Sequence, residues 1–258
     1  MKEMWFCDFG PLPEGLPELR NVVFYSCPQA PIGNAPKKIL SSGTWGIASA
    51  GGFYKTRNWD RLYKYYKQFQ NVGYPGWRMM PDEYLRPWKT MKNFQKWMES
   101  YPDLPVVPII QSTKEKCFDL FTAKKQIQFY KQFSPNKICI SNPAFFCHEW
   151  VEELTFIAMS IKDILNGPWI HVLGAGWDIG DIKQYARIEA IDSVDTIVYY
   201  TAAQRGEAWR CHISNSIPVK NLKCDCPACS SVIDGWQRIA MHNAFTAQEV
   251  IKNISSGE

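Results

Sequence analysis

The sequence predicts an α/β protein, specifically a (β/α)8 barrel with a small cysteine-bearing lobe after its last strand. Three observations predict it. Short apolar, β-branched runs recur with amphipathic stretches between them, the alternation of a parallel sheet with crossover helices. The residues that follow those runs are small and polar, as expected where barrel strands end in functional loops. A tight group of thiols in NLKCDCPACSS, residues 221–231, stands apart from that pattern.

Taken in order, the strand-like runs are NVVFYS (21–26), KKILSS (37–42), GWRMMP (76–81), PVVPIIQ (105–111), NKICIS (136–141), PWIHVLG (168–174) and SVDTIVYY (193–200). Between them lie RNWDRLYKYYKQFQN (57–71), RPWKTMKNFQKWMESY (86–101), KEKCFDLFTAKKQIQFYKQF (114–133), HEWVEELTFIAMSIKDILNG (148–167) and DIGDIKQYARIEAI (178–191). Their apolar residues are spaced by three and four, so each presents one buried helical face. Seven or eight such units in 258 residues fit a closed barrel, with a doubly wound open sheet as the alternative. Internal repeats, low-complexity tracts and linkers are absent from the sequence. The expected partition is a single domain over 1–258, with the cysteine lobe at about 207–245 within it.

Hydrophobic residues make up 46% of the chain, enough for a sizeable core. The 29 Lys and Arg against 25 Asp and Glu give a net charge of +4, which permits a nucleic-acid partner without requiring one. Nine cysteines, an odd number with three in one knot, fit reduced thiols and a metal better than disulfides. No stretch approaches the roughly 20 apolar residues of a membrane span. The N-terminal MKEMWFCDFGPLPEG lacks the layout of a signal peptide. An intracellular protein with no membrane contact is therefore expected.

In a barrel, the residues after each strand line the site. KKIL is followed by Ser41, Ser42 and Gly43, WRMMP by Asp82 and Glu83, and VVPII by Gln111 and Ser112. KICI leads to Ser141 and Asn142, WIHVL to Gly174, Ala175 and Gly176, and IDSVD ends on Asp195. Turn chemistry alone accounts for any one of these positions. Together they bring two carboxylates and an amide to one rim. Such groups match the amide and amino edges of a planar heterocycle such as a purine. Glycine at 174 and 176 would let backbone approach a ligand face. A second carboxylate beside the pocket can act as a nucleophile at a sugar carbon, as in retaining glycosidases.

Over about residues 37 to 245 these segments resemble, in motif order, the tRNA-guanine transglycosylases and the phage and bacterial 7-deazaguanine DNA transglycosylases. PKKILSSGTW resembles the strand ending in Asp-Ser-Gly-Gly/Ala-Phe, and MMPDEY the segment with a base-recognising Asp. VVPIIQS is similar to the strand ending in Val-Gln-Gly, ICISNPAF to the Gly-rich loop that contacts the base, and HVLGAG to a His-Leu-Leu-Gly strand. IDSVDTIVYY is similar to Val-Asp-Leu-Phe-Asp-Ser-Ala-Ser-Tyr, whose second Asp is the nucleophile, and CDCPACS to Cys-Ser-Cys-Pro-Val-Cys.

The resemblance implies catalytic roles for Asp195, as nucleophile at C1′ of a guanosine nucleotide, and for Asp82, as the purine-holding group that assists proton transfer. Ser41, Ser42, Gln111, Ser141, Asn142, Gly174 and Gly176 are the implied substrate-binding residues. Asp192 reads equally as a turn or supporting residue. One departure stands out: Ser41 occupies the position of the family's first carboxylate, and serine does not ionise near neutrality.

Cys224, Cys226 and Cys229, with His242 thirteen residues further on, offer the Cys3His set of closed, structural zinc sites. In the family the histidine lies further downstream. A helical turn starting after Gly235 would bring His242 back, and Cys211 with His212 form a rival pair. For nucleic-acid binding, Arg205, Arg210, Lys220 and Lys223 are the candidate phosphate contacts. The basic, aromatic stretch 54–70 reads first as an amphipathic helix with a solvated face.

The leading expectation is a zinc-containing pentosyltransferase of the cytoplasm of a bacterial or phage-infected cell. It would exchange guanine in DNA for a 7-deazaguanine base such as 7-cyano-7-deazaguanine. Short length favours DNA over tRNA as the partner. A compact tRNA-guanine transglycosylase and a catalytically silent, nucleic-acid-binding relative are the alternatives. The tRNA enzymes often dimerise through the zinc lobe, so a homodimer is a further expectation.

Overall fold

The computed structural model describes residues 3–7, 21–25, 45–49, 58–71, 77–113, 119–141, 151–174, 178–196, 198–210, 217–230 and 235–256. Strands β1 (Glu3–Cys7), β2 (Asn21–Tyr25) and β3 (Trp45–Ser49) come first. Helix and strand then alternate as α1 (Trp59–Asn71), β4 (Trp77–Arg78), α2 (Pro87–Ser100), β5 (Ile109–Ile110), α3 (Leu120–Lys131) and β6 (Lys137–Ser141). The alternation continues with α4 (Val151–Ile164), β7 (Trp169–Leu173), α5 (Ile179–Arg187), β8 (Ser193–Thr196) and α6 (Val198–Gln204). A small antiparallel pair, β9 (Glu207–Ala208) with β10 (Ile217–Pro218), precedes the long last helix α7 (Gly235–Ser256).

Strands β1 to β8 form one sheet in the order β4-β3-β2-β1-β8-β7-β6-β5, with every pairing parallel. The two ends of that order also meet. Met79 and Val107 form a parallel bridge, with Met80 N donating to Val107 O at 3.1 Å and Val107 N to Arg78 O at 2.7 Å. The Trp77 ring of β4 meets Trp169 and His171 of β7 edge-on, at 6.1 and 6.0 Å between centroids. In a flat sheet of this order β4 and β7 would be five strand spacings apart, about 24 Å. The sheet is therefore curled, and side chains of non-neighbouring strands share one interior.

Polar tips of buried aromatics tie the helices to the sheet and to the segment before β5, as buried Tyr and Trp groups require. Tyr66 of α1 donates to Met79 O, Tyr130 of α3 to Ile109 O at 3.1 Å, and Trp97 of α2 to Leu104 O at 2.8 Å. All three side chains are fully buried. α7 packs against α5, α6 and β1, which brings the end of the chain back to its beginning.

Four features differ from the sequence reading. β1 was not expected: EMWFC is short and begins on a charge, yet it pairs with both β8 and β2. The expected strand KKILSS lies outside the described residues, and the strand between β2 and β4 is Trp45–Ser49. The expected strand SVDTIVYY is corrected to Ser193–Thr196, with Val198 already starting α6. Its β-branched and aromatic residues favour a strand locally, but tertiary context overrides such preferences. The turn expected after Gly235 is a helix running to Ser256. Among the described residues no helix is long and apolar enough to cross a membrane.

Candidate active site and metal centre

Register brings the polar residues together. Ile109 pairs with Cys139, Cys139 with His171, and His171 with Ser193, so these four positions lie at one level across β5 to β8. Side chains two residues on share the same face of a strand. Gln111, Ser141 and Asp195 therefore form the next level, toward the C-terminal ends of the strands. All three are buried.

Asp195 is 2% exposed, and its carboxylate accepts a hydrogen bond from the backbone N–H of Gly174. Gly174, at φ +69°, takes the left-handed conformation that glycine adopts without strain. The other carboxylate oxygen lies 3.8 Å from Nε2 of His171, a ring with no exposed surface. His171 Nδ1 is 2.8 Å from Ser193 Oγ, which also accepts from the Trp169 indole N–H at 2.8 Å. With that acceptor site filled, the serine hydroxyl can donate to Nδ1, and the matching neutral tautomer carries its hydrogen on Nε2, toward Asp195. His171 and Ser193 are the residues that sequence reasoning missed. The signal was present for His171, a polar residue inside the otherwise apolar strand WIHVL, whereas Ser193 belongs to a strand that is itself mostly polar.

Asp82 follows β4 and accepts from the side-chain amide of Gln111. Gln111 is itself fixed by a reciprocal pair: its N–H donates to Gln126 Oε1 at 2.9 Å and its carbonyl accepts from Gln126 Nε2 at 2.7 Å. The Gln111 side-chain oxygen is buried and has no hydrogen-bond partner among the described residues. Such an atom is costly unless a ligand or water meets it. Burial raises the Asp82 carboxyl to about 7, although its own backbone and Gln111 pull the other way. At neutral pH this group can therefore either give or take a proton. Glu83 is less available, because it is buried and paired with Lys89 at 3.5 Å.

The buried Cys139 thiol links the two carboxylates. It is raised well above its ordinary value, first by burial and then by the charges of Asp195 and Asp82. Both acids thus act on the same interior. Ser141 lies there too, at the end of β6. Ser41, Ser42, Asn142 and Gly176 lie outside the described residues. Asp192 turns away from this chemistry: its carboxylate accepts from Lys162 Nζ at 2.6 Å and from Ile170 N at 2.7 Å, fastening α4 to the start of β7.

No acid occurs between Leu40 and Phe53.

At the other end of the chain, Cys224, Cys226, Cys229 and His242 are arranged to bind a metal ion, with their ligand atoms all within 4.8 Å of one another. His242 Nδ1 lies 3.4 Å from Cys226 Sγ and 3.6 Å from Cys229 Sγ. Its Nε2 is 2.7 Å from Trp209 O, a carbonyl that can only accept, so the ring hydrogen sits on Nε2 and Nδ1 is left as the ligand atom. Burial also lowers the His242 pKa, which favours the neutral ligand form. The Cys229 thiol is raised to about 12 by burial and by its neighbouring thiols. Beside His242, Asn243 accepts from Trp209 N at 2.8 Å and donates to the carbonyls of Tyr199 and Glu207, both at 3.1 Å. Cys211 and His212 lie outside the described residues.

Arg210, Lys220 and Lys223 are exposed around β9 and β10. Arg205 is tied to Glu207 at 2.8 Å and lies past α6, a helix away from the strand that holds Asp195. On α1, Lys67 pairs with Asp103, Tyr63 stacks on Tyr101, and Trp59 meets Trp97, as a packed helix with a solvated face would have it. The chain matches no protein-family model and no curated protein.

Proposed function

We infer that this protein is a guanine transglycosylase acting on DNA, exchanging guanine for a 7-deazaguanine base through a covalent aspartyl-nucleotide intermediate. The observation that carries the reading is the pair of acids with opposite surroundings on one interior. Asp195 is held by the Gly174 N–H with His171 beside it, while Asp82, poised near neutrality, is held by Gln111. Two carboxyls in different environments divide nucleophilic and proton-transfer work between them.

In the proposed reaction the Asp195 carboxylate attacks C1′, and the bond from C1′ to guanine breaks. The protonated Asp82 carboxyl gives its proton to the departing base. The incoming 7-deazaguanine loses its ring N–H proton to the Asp82 carboxylate and attacks C1′, releasing Asp195. Protons and charge balance over the cycle. Gln111 presents its unmet oxygen to an amino or N–H edge of either base, which suits a purine and its 7-deaza analogue alike. With no acid between Leu40 and Phe53, Asp82 would serve both recognition and proton transfer.

The closed (β/α)8 barrel belongs to the same reading. It is supported by the eight-strand order, the Met79 and Val107 bridge, and ring contacts between β4 and β7. For the metal centre we propose structural zinc, since three sulfurs and one imidazole fill a tetrahedral set and leave no open position for substrate.

The test is incubation of the protein with radiolabelled 7-cyano-7-deazaguanine or guanine and, in parallel, duplex DNA, single-stranded DNA and tRNA. Label should enter DNA. Entry into tRNA alone would overturn the DNA assignment, and entry into none, with no trapped adduct, would favour a silent binding protein.

A further inference from the structure

The described surface carries a group of large apolar side chains that the proposed chemistry does not use. Trp88 is 52% exposed, Phe121 67% and Tyr84 52%. Trp88 is the second residue of α2 and Phe121 the second of α3. These helices follow the two strands after which Asp82 and Gln111 stand, so the rings lie at the same end of the sheet as that pair. One ammonium group joins them: Lys125 Nζ is 5.7 Å from the Trp88 ring centre and 4.2 Å from that of Phe121.

Both rings are held on rigid turns. Pro87 starts α2, and the loop before it is locked by Thr90, which bonds Glu83 N and O. Asp119 caps α3 by accepting from the backbone of Phe121 itself, at 3.1 Å. The same turns and helices carry the exposed cations Arg86, Lys89, Lys92, Lys124 and Lys125. The acids of the same two turns are engaged, Glu83 with Lys89 and Asp119 with its helix.

We propose that Trp88 and Phe121 form a stacking platform for unpaired nucleotides, and that Lys124 and Lys125 meet the phosphates between those bases. Rings among cations suit a single strand, since every base has a π-face and every nucleotide a negative charge. The platform deepens the proposed function and rests on it for its role. Where a target guanine leaves the stack to reach Asp82, its neighbours lose their partners. These rings receive one or two of them at the mouth of the site.

The experiment measures binding of a fluorescein-labelled 12-nucleotide single strand, as DNA and as RNA, and of the matching duplex, by anisotropy over a series of salt concentrations. The double variant Trp88→Ala, Phe121→Ala should weaken single-strand binding by roughly tenfold to a hundredfold with an unchanged salt slope. Lys124→Gln with Lys125→Gln should flatten the slope instead. Trp88→Phe with Phe121→Tyr should restore affinity. Wild-type affinity in the double alanine variant, or loss of duplex binding in equal measure, overturns the platform. A dimer that dissolves in that variant while oligonucleotide binding persists overturns it in favour of a protein interface. The two readings fail separately. Strand binding lost in the variant without any base exchange by the wild type keeps the platform and rejects the transglycosylase. Base exchange at an equal kcat/KM in variant and wild type does the reverse.

Discussion

Around His242 the ligand groups come from Cys224–Cys229 and one helix, whereas around Asp195 they come from strands and turns spread from Asp82 to Asp195. In the first region burial, with the neighbouring thiols adding to it, drives Cys226 and Cys229 up, Cys229 to about 12, which opposes their ionisation in the absence of a cation. In the second, each carboxyl is met by groups of the protein: Gly174 N–H and His171 at Asp195, Gln111 at Asp82. A metal centre can be built from local sequence, because the ion supplies the compensating charge. Two acids on one interior, Asp195 buried and Asp82 partly so, need compensation from the fold, and therefore need the whole sheet.

That contrast can be broken, and the largest expected effect is at Asp195. Asp195→Asn should lower base exchange by about 10⁴-fold and abolish a trapped covalent adduct, as loss of a nucleophile does. A variant that still forms adduct would place the nucleophile elsewhere. Next comes the metal. Cys226→Ser, or chelation of the wild type, should remove about one zinc per chain and cost about 5 kcal/mol, the scale expected for loss of a structural metal. In a chain of this size that is roughly 10–20 °C in Tm by calorimetry. Zinc content and stability both kept would contradict the assignment.

Asp82 sharpens the comparison through pH. Its folded value of about 7 exceeds the ordinary 3.8, so between those values the folded state holds a proton that the unfolded state has lost. Stability from this group is therefore full below pH 4 and falls as pH rises toward 7. Asp82→Asn should remove that loss, raising stability at pH 8 by at most about 4 kcal/mol, with no gain near pH 4. Denaturant unfolding at the two pH values checks it, and an equal effect at both would mean that Asp82 is not held near neutrality. The smallest effect is expected at His171. His171→Asn should slow adduct formation by about 10 to 100-fold through misplacement of Asp195. It should also alter the pH profile of that step, which mere loss of packing would not do.

The same contrast explains what the sequence disclosed. The thiol knuckle was legible because its spacing is local, and about two turns of the helix that starts at Gly235 return His242 to it. Asp82, Gln111 and Asp195 were legible as polar residues at the ends of apolar runs. The pairing of His171 with Ser193 was not, since it depends on the register between β7 and β8, which no local pattern records. β1 was missed for a related reason: its place between β8 and β2 is defined by partners far away in the chain. β3 was missed likewise, since Trp45–Ser49 is placed between β2 and β4 by its partners, while the expected run KKILSS lies outside the described residues.

His242 and Asn243 are consecutive residues of α7, and each has its own set of partners, the sulfurs and Trp209 O for one and three backbone groups of 199–209 for the other. One added residue turns everything beyond it by about 100° about a helix axis. A single insertion between Gly235 and Met241 would thus swing the metal ligand and the amide clasp off their targets together. In this respect α7 behaves as a ruled edge whose origin is fixed to the residue.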